Sequence, residues 1–260
     1  MCLILFAWHA HPRYRLIFAA NRDEYFRRPA AAAAQWTDLP GVLGGRDLDK
    51  GGSWLAIDRL GRWAAVTNIR ARPSRPLGDR SRGFLVRDYF VRDQPACAYA
   101  GTVQREAAAF PGFNLLVGDA QSLLYVSSHR AEPTPVAAGI HGLSNGQLDT
   151  PWPKVRRGIA RLEALSKAPE DALTAGLFEL LLDRTRAADA ELPDTGVGLE
   201  WERTLSAPFI VADGYGTRAS TVLLVDSEGN GRFEERSFGP CGVAQGRRQF
   251  LIGAGAQATD

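Results

Sequence analysis

The stretch CLILFAWHAHPRYRLIFAANRDE, running from Cys2 to Glu24, decides the reading of this chain. It holds two apolar runs, Cys2 to Trp8 and Tyr14 to Ala20, separated by His9-Ala10-His11-Pro12. Runs of this length around a short polar break predict a β-hairpin. In each run both alternate sets of side chains are oily: Cys2, Ile4, Phe6 and Trp8 against Leu3, Leu5 and Ala7, then Leu16, Phe18 and Ala20 against Ile17 and Ala19. A strand apolar on both faces is covered on both faces, so the hairpin belongs in the middle of a layered molecule. In an antiparallel pair the start of the first strand lies beside the end of the second. Cys2 is therefore expected next to Arg22 and Asp23, with Asn21 to Glu24 emerging from the second strand into a loop.

Cysteine is small enough for the initiator methionine before it to be removed, which would leave one residue carrying a thiol and a free α-amine. The α-amine has a reference pKa of about 7.7 to 8.0 and the thiol about 8.5. Near neutral pH the amine can take the thiol proton, so nucleophile and base share one residue.

Working outward, strands are expected over Ser53 to Asp58 and Trp63 to Asn68, then near 114–119, 122–128 and 135–144, and again near 209–213, 220–226 and 231–238. Helices are expected from Gly83 to Arg92, Pro95 to Ala109, Trp152 to Leu165 and Glu170 to Leu182, where apolar residues recur at helical spacing. Pro29 to Ala34 reads as a surface segment, Gly41 to Gly45 as a turn, Ala187 to Glu200 as a loop and Gly253-Ala254-Gly255 as a tail. Strands and helices come in blocks with hairpin-length connections, which argues against a doubly wound parallel sheet. Two mostly antiparallel sheets with helices outside them are expected, as one domain over 1–260, since no linker divides the chain.

The 260 residues are 45% hydrophobic and 23% charged, an ordinary globular balance. A formal net charge of +2 is too small to imply a nucleic-acid partner. Cysteines at 2, 97 and 241 are odd in number and lack metal-ligand spacing, so a reducing, cytoplasmic setting without a disulfide framework is expected. The apolar start, Leu3 to Trp8, has neither the flanking charge nor the cleavage site of a signal peptide. No stretch approaches the length of a membrane span.

Other motifs in the chain lack the context their chemistry needs. Gly142-Leu143-Ser144-Asn145-Gly146 matches a nucleophile elbow, but Gly146, Pro151 and Pro153 prevent the helix that must follow, and no histidine comes after His141 to serve as base. His9 and His11 lack the further ligands of a metal site, so a turn role is expected. Arg70, Arg72, Arg75, Arg80 and Arg82 form a basic loop, read either as solvated or as an anion-binding flap.

Met-Cys at the start and Asn21-Arg22-Asp23-Glu24 after the second run resemble the NRDE family, also called the transport and Golgi organisation family. Gly51-Gly52-Ser53-Trp54, Thr67-Asn68, Arg80-Ser81-Arg82-Gly83, Gly112-Phe113-Asn114-Leu115, Leu143-Ser144-Asn145 with Pro151-Trp152-Pro153-Lys154-Val155, and Tyr215-Gly216-Thr217-Arg218 are similar to that family's blocks, in order. The resemblance implies an α+β, four-layer αββα sandwich like that of N-terminal-nucleophile hydrolases. It also implies a hydrolase of a small acyl amide or thioester, with no cofactor or metal. Cys2 is then the nucleophile, Arg22 and Arg218 lower its pKa and orient substrate, Asp23 holds the α-amine, and Asn145 and Asn68 supply oxyanion donors. The same resemblance implies an alternative, a carrier of haem or of acyl-coenzyme A or lipid using the same pocket.

Overall fold

A computed structural model describes residues 2–70 and 78–253, apart from the side chains of Cys2, Glu170 and Asp171. The chain opens on β1 (Cys2–Trp8) and β2 (Tyr14–Tyr25), followed by β3 (Ala30–Gln35), β4 (Val42–Asp47), β5 (Leu55–Asp58) and β6 (Trp63–Asn68). Two helices come next, α1 (Gly83–Arg92) and α2 (Ala96–Glu106), then β7 (Phe113–Gly118), β8 (Leu123–Ser127), β9 (Thr134–Pro135) and β10 (Gly139–Leu143). Helices α3 (Pro153–Leu165), α4 (Glu170–Leu181) and α5 (Leu199–Leu205) precede β11 (Val211–Ala212), β12 (Tyr215–Asp226), β13 (Gly231–Phe238) and β14 (Ala244–Ile252).

The strands form two antiparallel sheets. One has the order β10-β1-β2-β12-β13-β14, with β11 added against β12; the other runs β3 to β9 in sequence order. Their facing surfaces share one core, in which Ile4, Phe6, Trp8, Phe18 and Phe233 of the first sheet meet Leu55, Ile57, Trp63, Leu116 and Tyr125 of the second. The outer face of the first sheet, through Leu3, Leu5, Ile17 and Val222, packs on Val155 and Leu162 of α3 and Leu173, Leu177 and Phe178 of α4. The outer face of the second, through Ala64, Val66, Leu115 and Val126, packs on Leu85, Val86 and Tyr89 of α1 and Tyr99 and Val103 of α2. This is the four-layer αββα sandwich. β1 is oily on both faces because one face meets a sheet and the other meets helices.

Five segments depart from expectation. Asn21 to Glu24 lie inside β2, because β12 keeps pairing alongside as far as Tyr215 opposite Tyr25. Pro29 to Ala34 enters the edge strand β3. Gly44 and Gly45 sit in β4 rather than in a turn: a Cβ on Gly44 would stand 2.4 Å from the Leu55 carbonyl oxygen, and one on Gly45 2.2 Å from the Trp54 ring. Glycine is required there by close approach, and the approach seats Trp54. β14 was unforeseen because its residues 244–249 are exposed and polar; it forms by adding to the free edge of β13. α5 likewise emerges from the end of the expected loop. Arg72, Arg75 and the tail residues Ala254 and Gly255 lie outside the described residues.

Candidate active site

Strand alternation divides the Asn21-Arg22-Asp23-Glu24 tetrapeptide between two layers. Asn21 is structural: its Nδ2 donates to the carbonyls of Leu181 and Pro208, both at 2.8 Å, and its Oδ1 accepts from Ser220 Oγ at 2.6 Å. It ties β2 to the end of α4. Asp23 is also buried, and its Oδ1 accepts from Thr217 Oγ1 at 2.7 Å, while that hydroxyl accepts from the Ile210 N–H. Burial pushes the Asp23 carboxyl up to about 6, against the opposing pull of the Lys154 ammonium and the Thr217 hydrogen bond. Near neutral pH it is mostly ionised and able to hold a cation. Arg22 is buried too, with its guanidinium 4.3 Å from the centre of the Trp54 ring. Its Nη1 has no hydrogen-bond partner among the described residues.

The backbone of Cys2 pairs with Arg22, the first rung of the β1–β2 ladder. On the other side of β1, Ile4 pairs with Leu143, where β10 ends, and Asn145 stands two residues later in the turn that follows. Thr67 Oγ1 donates to the Ser144 carbonyl at 2.7 Å, and Asn114 Nδ2 donates to the Gly146 carbonyl at 2.7 Å, so this turn is stitched to the other sheet. Asn145 is fully buried, and its Nδ2 donates to both the backbone oxygen and Oδ1 of Asn68, at 2.9 and 3.0 Å. Its amide donors are spent inside the protein. Asn68 Oδ1 is thereby fixed as an acceptor, which turns the Asn68 amino group away from Asn145, and that group has no protein partner among the described residues. The two asparagines thus form a relay with Asn68 at its free end.

Two cavities meet at Arg22 and Trp54. One, of about 270 Å³, is lined by Asp23, Asn68, Lys50 and Arg82 as well as Arg22 and Trp54. The second, of about 450 Å³, is lined by Arg22, Trp54, Arg218, Glu235 and Arg248. Arg218 is the extra residue of a bulge in β12, between Thr217 opposite Asp23 and Ala219 opposite Arg22. Its Nη1 donates to the carbonyls of Tyr25 and Arg28, both at 3.1 Å. Arg22 therefore serves both cavities, Asp23 and Asn68 the first and Arg218 the second, while Asn145 stands behind Asn68.

Sequence reasoning missed three residues here. Lys154 is buried at the start of α3 and close enough to pull on Asp23; its signal is that the chain has only three lysines and this one falls in a family block. Trp54 was visible only as part of a block. Glu235 gives no signal, since Glu234-Glu235 in a strand reads as solvent-facing. The basic loop is largely pinned where it is described: Arg70 is buried 3.2 Å from Glu202 and stacks on Trp152, and Arg80 pairs with Asp88. His11 Nδ1 accepts from the Arg13 and Tyr14 N–H groups, a turn role. Cys97 and Cys241 are exposed and free.

The fold and this cluster define a class: an α+β four-layer protein with a buried carboxylate, a guanidinium and a carboxamide relay gathered around the start of its first strand. The chain belongs to the Transport and Golgi organisation 2 family, whose model matches residues 1–240. It is 36% identical to a Transport and Golgi organization protein 2 homolog of Bos taurus over 261 residues, covering 91% of this chain and 93% of the relative. It is 31% identical to the Transport and Golgi organization protein 2 of Drosophila melanogaster over 265 residues, covering 91% and 92%. Two solved structures align more distantly. One is a Caenorhabditis elegans ortholog of N-acylethanolamine-hydrolyzing acid amidase, at TM-score 0.47 and 12% identity, covering 86% of this chain and 92% of that one. The other is a mutant conjugated bile acid hydrolase from Clostridium perfringens, at TM-score 0.49 and 10% identity, covering 97% and 92%. No described helix is long and apolar enough to cross a membrane.

Proposed function

We propose that the protein is an N-terminal cysteine hydrolase acting on a small acyl amide or thioester, active once Met1, which lies outside the described residues, is removed. The observation that supports it most is the pairing of the Cys2 backbone with Arg22, directly beside the buried carboxylate of Asp23. In this reading the Cys2 α-amine takes the thiol proton and the sulfur attacks the acyl carbon, forming a C–S bond and a negative oxygen. Asn68 donates to that oxygen, held in place by Asn145. The intermediate collapses, and the amine or thiol leaves with the proton returned by the α-ammonium. Water then adds to the thioester, passing a proton to the α-amine, and the acid is released as the C–S bond breaks. Asp23 holds the α-ammonium, and Arg22 favours the thiolate by its charge.

Three measurements on natively expressed protein test this. Intact mass should show Met1 absent, and an electrophilic acyl probe should label Cys2 ahead of Cys97 and Cys241. Cys2→Ser and Cys2→Ala should both lose turnover while retaining substrate binding. Full turnover in Cys2→Ala would end the proposal.

A further inference from the structure

Reading straight across the first sheet, Cys2, Arg22, Ala219, Ser237 and Gly246 stand in one row, on β1, β2, β12, β13 and β14. Beyond Arg22 the side chains in the row are small, so the row is the floor of a trough, and the second cavity lies over it. Its roof is the alanine run Ala30 to Ala32 of β3 together with Trp54. The neighbouring row, Ala20, Thr221, Glu235 and Arg248, forms one wall. With strands about 4.8 Å apart, Glu235 on β13 stands three strands, or about 14 Å, from β1.

Glu235 is out of place for a strand core. It is 1% exposed; Oε1 accepts from the Ala33 N–H at 2.7 Å, the Thr221 hydroxyl also bears on the carboxyl, and Oε2 has no partner in good hydrogen-bond geometry among the described residues. A buried polar atom left without a partner costs on the order of 1–3 kcal/mol, so it implies a partner that arrives with a ligand. The groups around it are cationic. Arg22 pulls on it from β2 and the Thr221 hydroxyl from β12; Arg218 on β12 and Arg248 on β14 line the same cavity, while β3 contributes only alanines and the Ala33 N–H. Arg247, also on β14, is spent on Glu234, through Nε at 2.8 Å and Nη2 at 3.0 Å.

We propose that this trough is a specificity subsite for a carboxylate carried by the substrate about 14 Å from the carbonyl presented to Cys2, held by Arg22 and Arg248 with Glu235 as its hydrogen-bonding partner. The substrate class is an acyl compound ending in a carboxylate, and this deepens the hydrolase reading and rests on it for the carbonyl end alone. A carboxylate suits the site better than a phosphate. A monoanion can share one proton with Glu235, as paired carboxyls do, whereas a dianion would face a buried carboxyl with its charge unrelieved. Burial pushes Glu235 up to about 7, so that proton is available near neutral pH. Binding should therefore take up a proton.

The test uses the full-length Cys2→Ala protein, so that binding is measured apart from turnover, with octanoate as the probe and octan-1-ol and inorganic phosphate as controls. Calorimetry at pH 7.5 in buffers of different ionisation enthalpy should show saturable octanoate binding with uptake of about one proton, and binding of the alcohol at least tenfold weaker. Arg248→Ala, at an exposed position, should weaken octanoate at least tenfold. Glu235→Gln should abolish the proton uptake. A Cβ at Gly246 would meet no described atom within 4 Å, so Gly246→Leu can fill the trough without strain and should eliminate binding. Absent octanoate binding, equal binding of alcohol and acid, displacement of octanoate by phosphate at lower concentration, or indifference to Gly246→Leu would each overturn the subsite. The hydrolase reading is judged separately, by turnover of the Cys2 protein.

Discussion

Glu235→Gln should make the protein more stable, by an amount that depends on pH. Folding carries the Glu235 carboxyl from its ordinary 4.5 to about 7, because burial outweighs the Ala33 N–H, the Arg22 charge and the Thr221 hydroxyl. At about 1.4 kcal/mol per pH unit, that shift corresponds to about 3 kcal/mol. The native state binds the proton more tightly, so between pH 4.5 and 7 the unfolded chain has released a proton that the native one keeps. Stability then falls as pH rises through this window, and the loss is complete above it. Glutamine cannot ionise, and its Oε1 still accepts from the Ala33 N–H. Parent and variant should match near pH 4.5, and the variant should be more stable by about 3 kcal/mol at pH 8.5. Urea unfolding at half-unit steps across this range reads the difference directly, and taking the difference removes the similar contribution of Asp23. A difference that stays flat with pH, or a glutamine variant less stable at pH 8.5, would refute the assignment of the buried charge.

The asparagine relay predicts that Asn68→Ala lowers kcat by roughly 10²- to 10³-fold, and that Asn145→Ala lowers it as well although Asn145 touches no substrate. The double variant should be no slower than Asn68→Ala alone; multiplying effects in steady-state kinetics would place the two in independent roles. Gly158→Ala should destabilise by about 1–3 kcal/mol in denaturant titration despite improving helix propensity. Its Cβ would stand 2.5 Å from Leu5 Cδ1, where α3 rests on β1; an increase in stability would refute this contact.

The layered core and the ladder at its centre are legible in the residues alone. Apolar residues on both faces of β1 and β2 require cover on both sides, and an antiparallel hairpin puts Cys2 opposite Arg22 whatever surrounds it. Both are local consequences of periodicity and chain connection. Which strands flank the hairpin depends on contacts between distant parts of the chain. β12 continues beside β2 past Asn21, which turns an expected loop into strand and sends Asn21 and Arg22 to opposite faces, one to anchor α4 and the other to line the cavities. The order of the asparagines was also tertiary, since Asn68 ends a strand of one sheet, Asn145 follows a strand of the other, and only their hydrogen bonds show which amide is free. Glu235 was beyond sequence reading for the same reason. Its burial comes from β14 and β3 closing over β13, and β14 is polar enough to pass for surface until a free strand edge gives its backbone N–H and C=O groups partners.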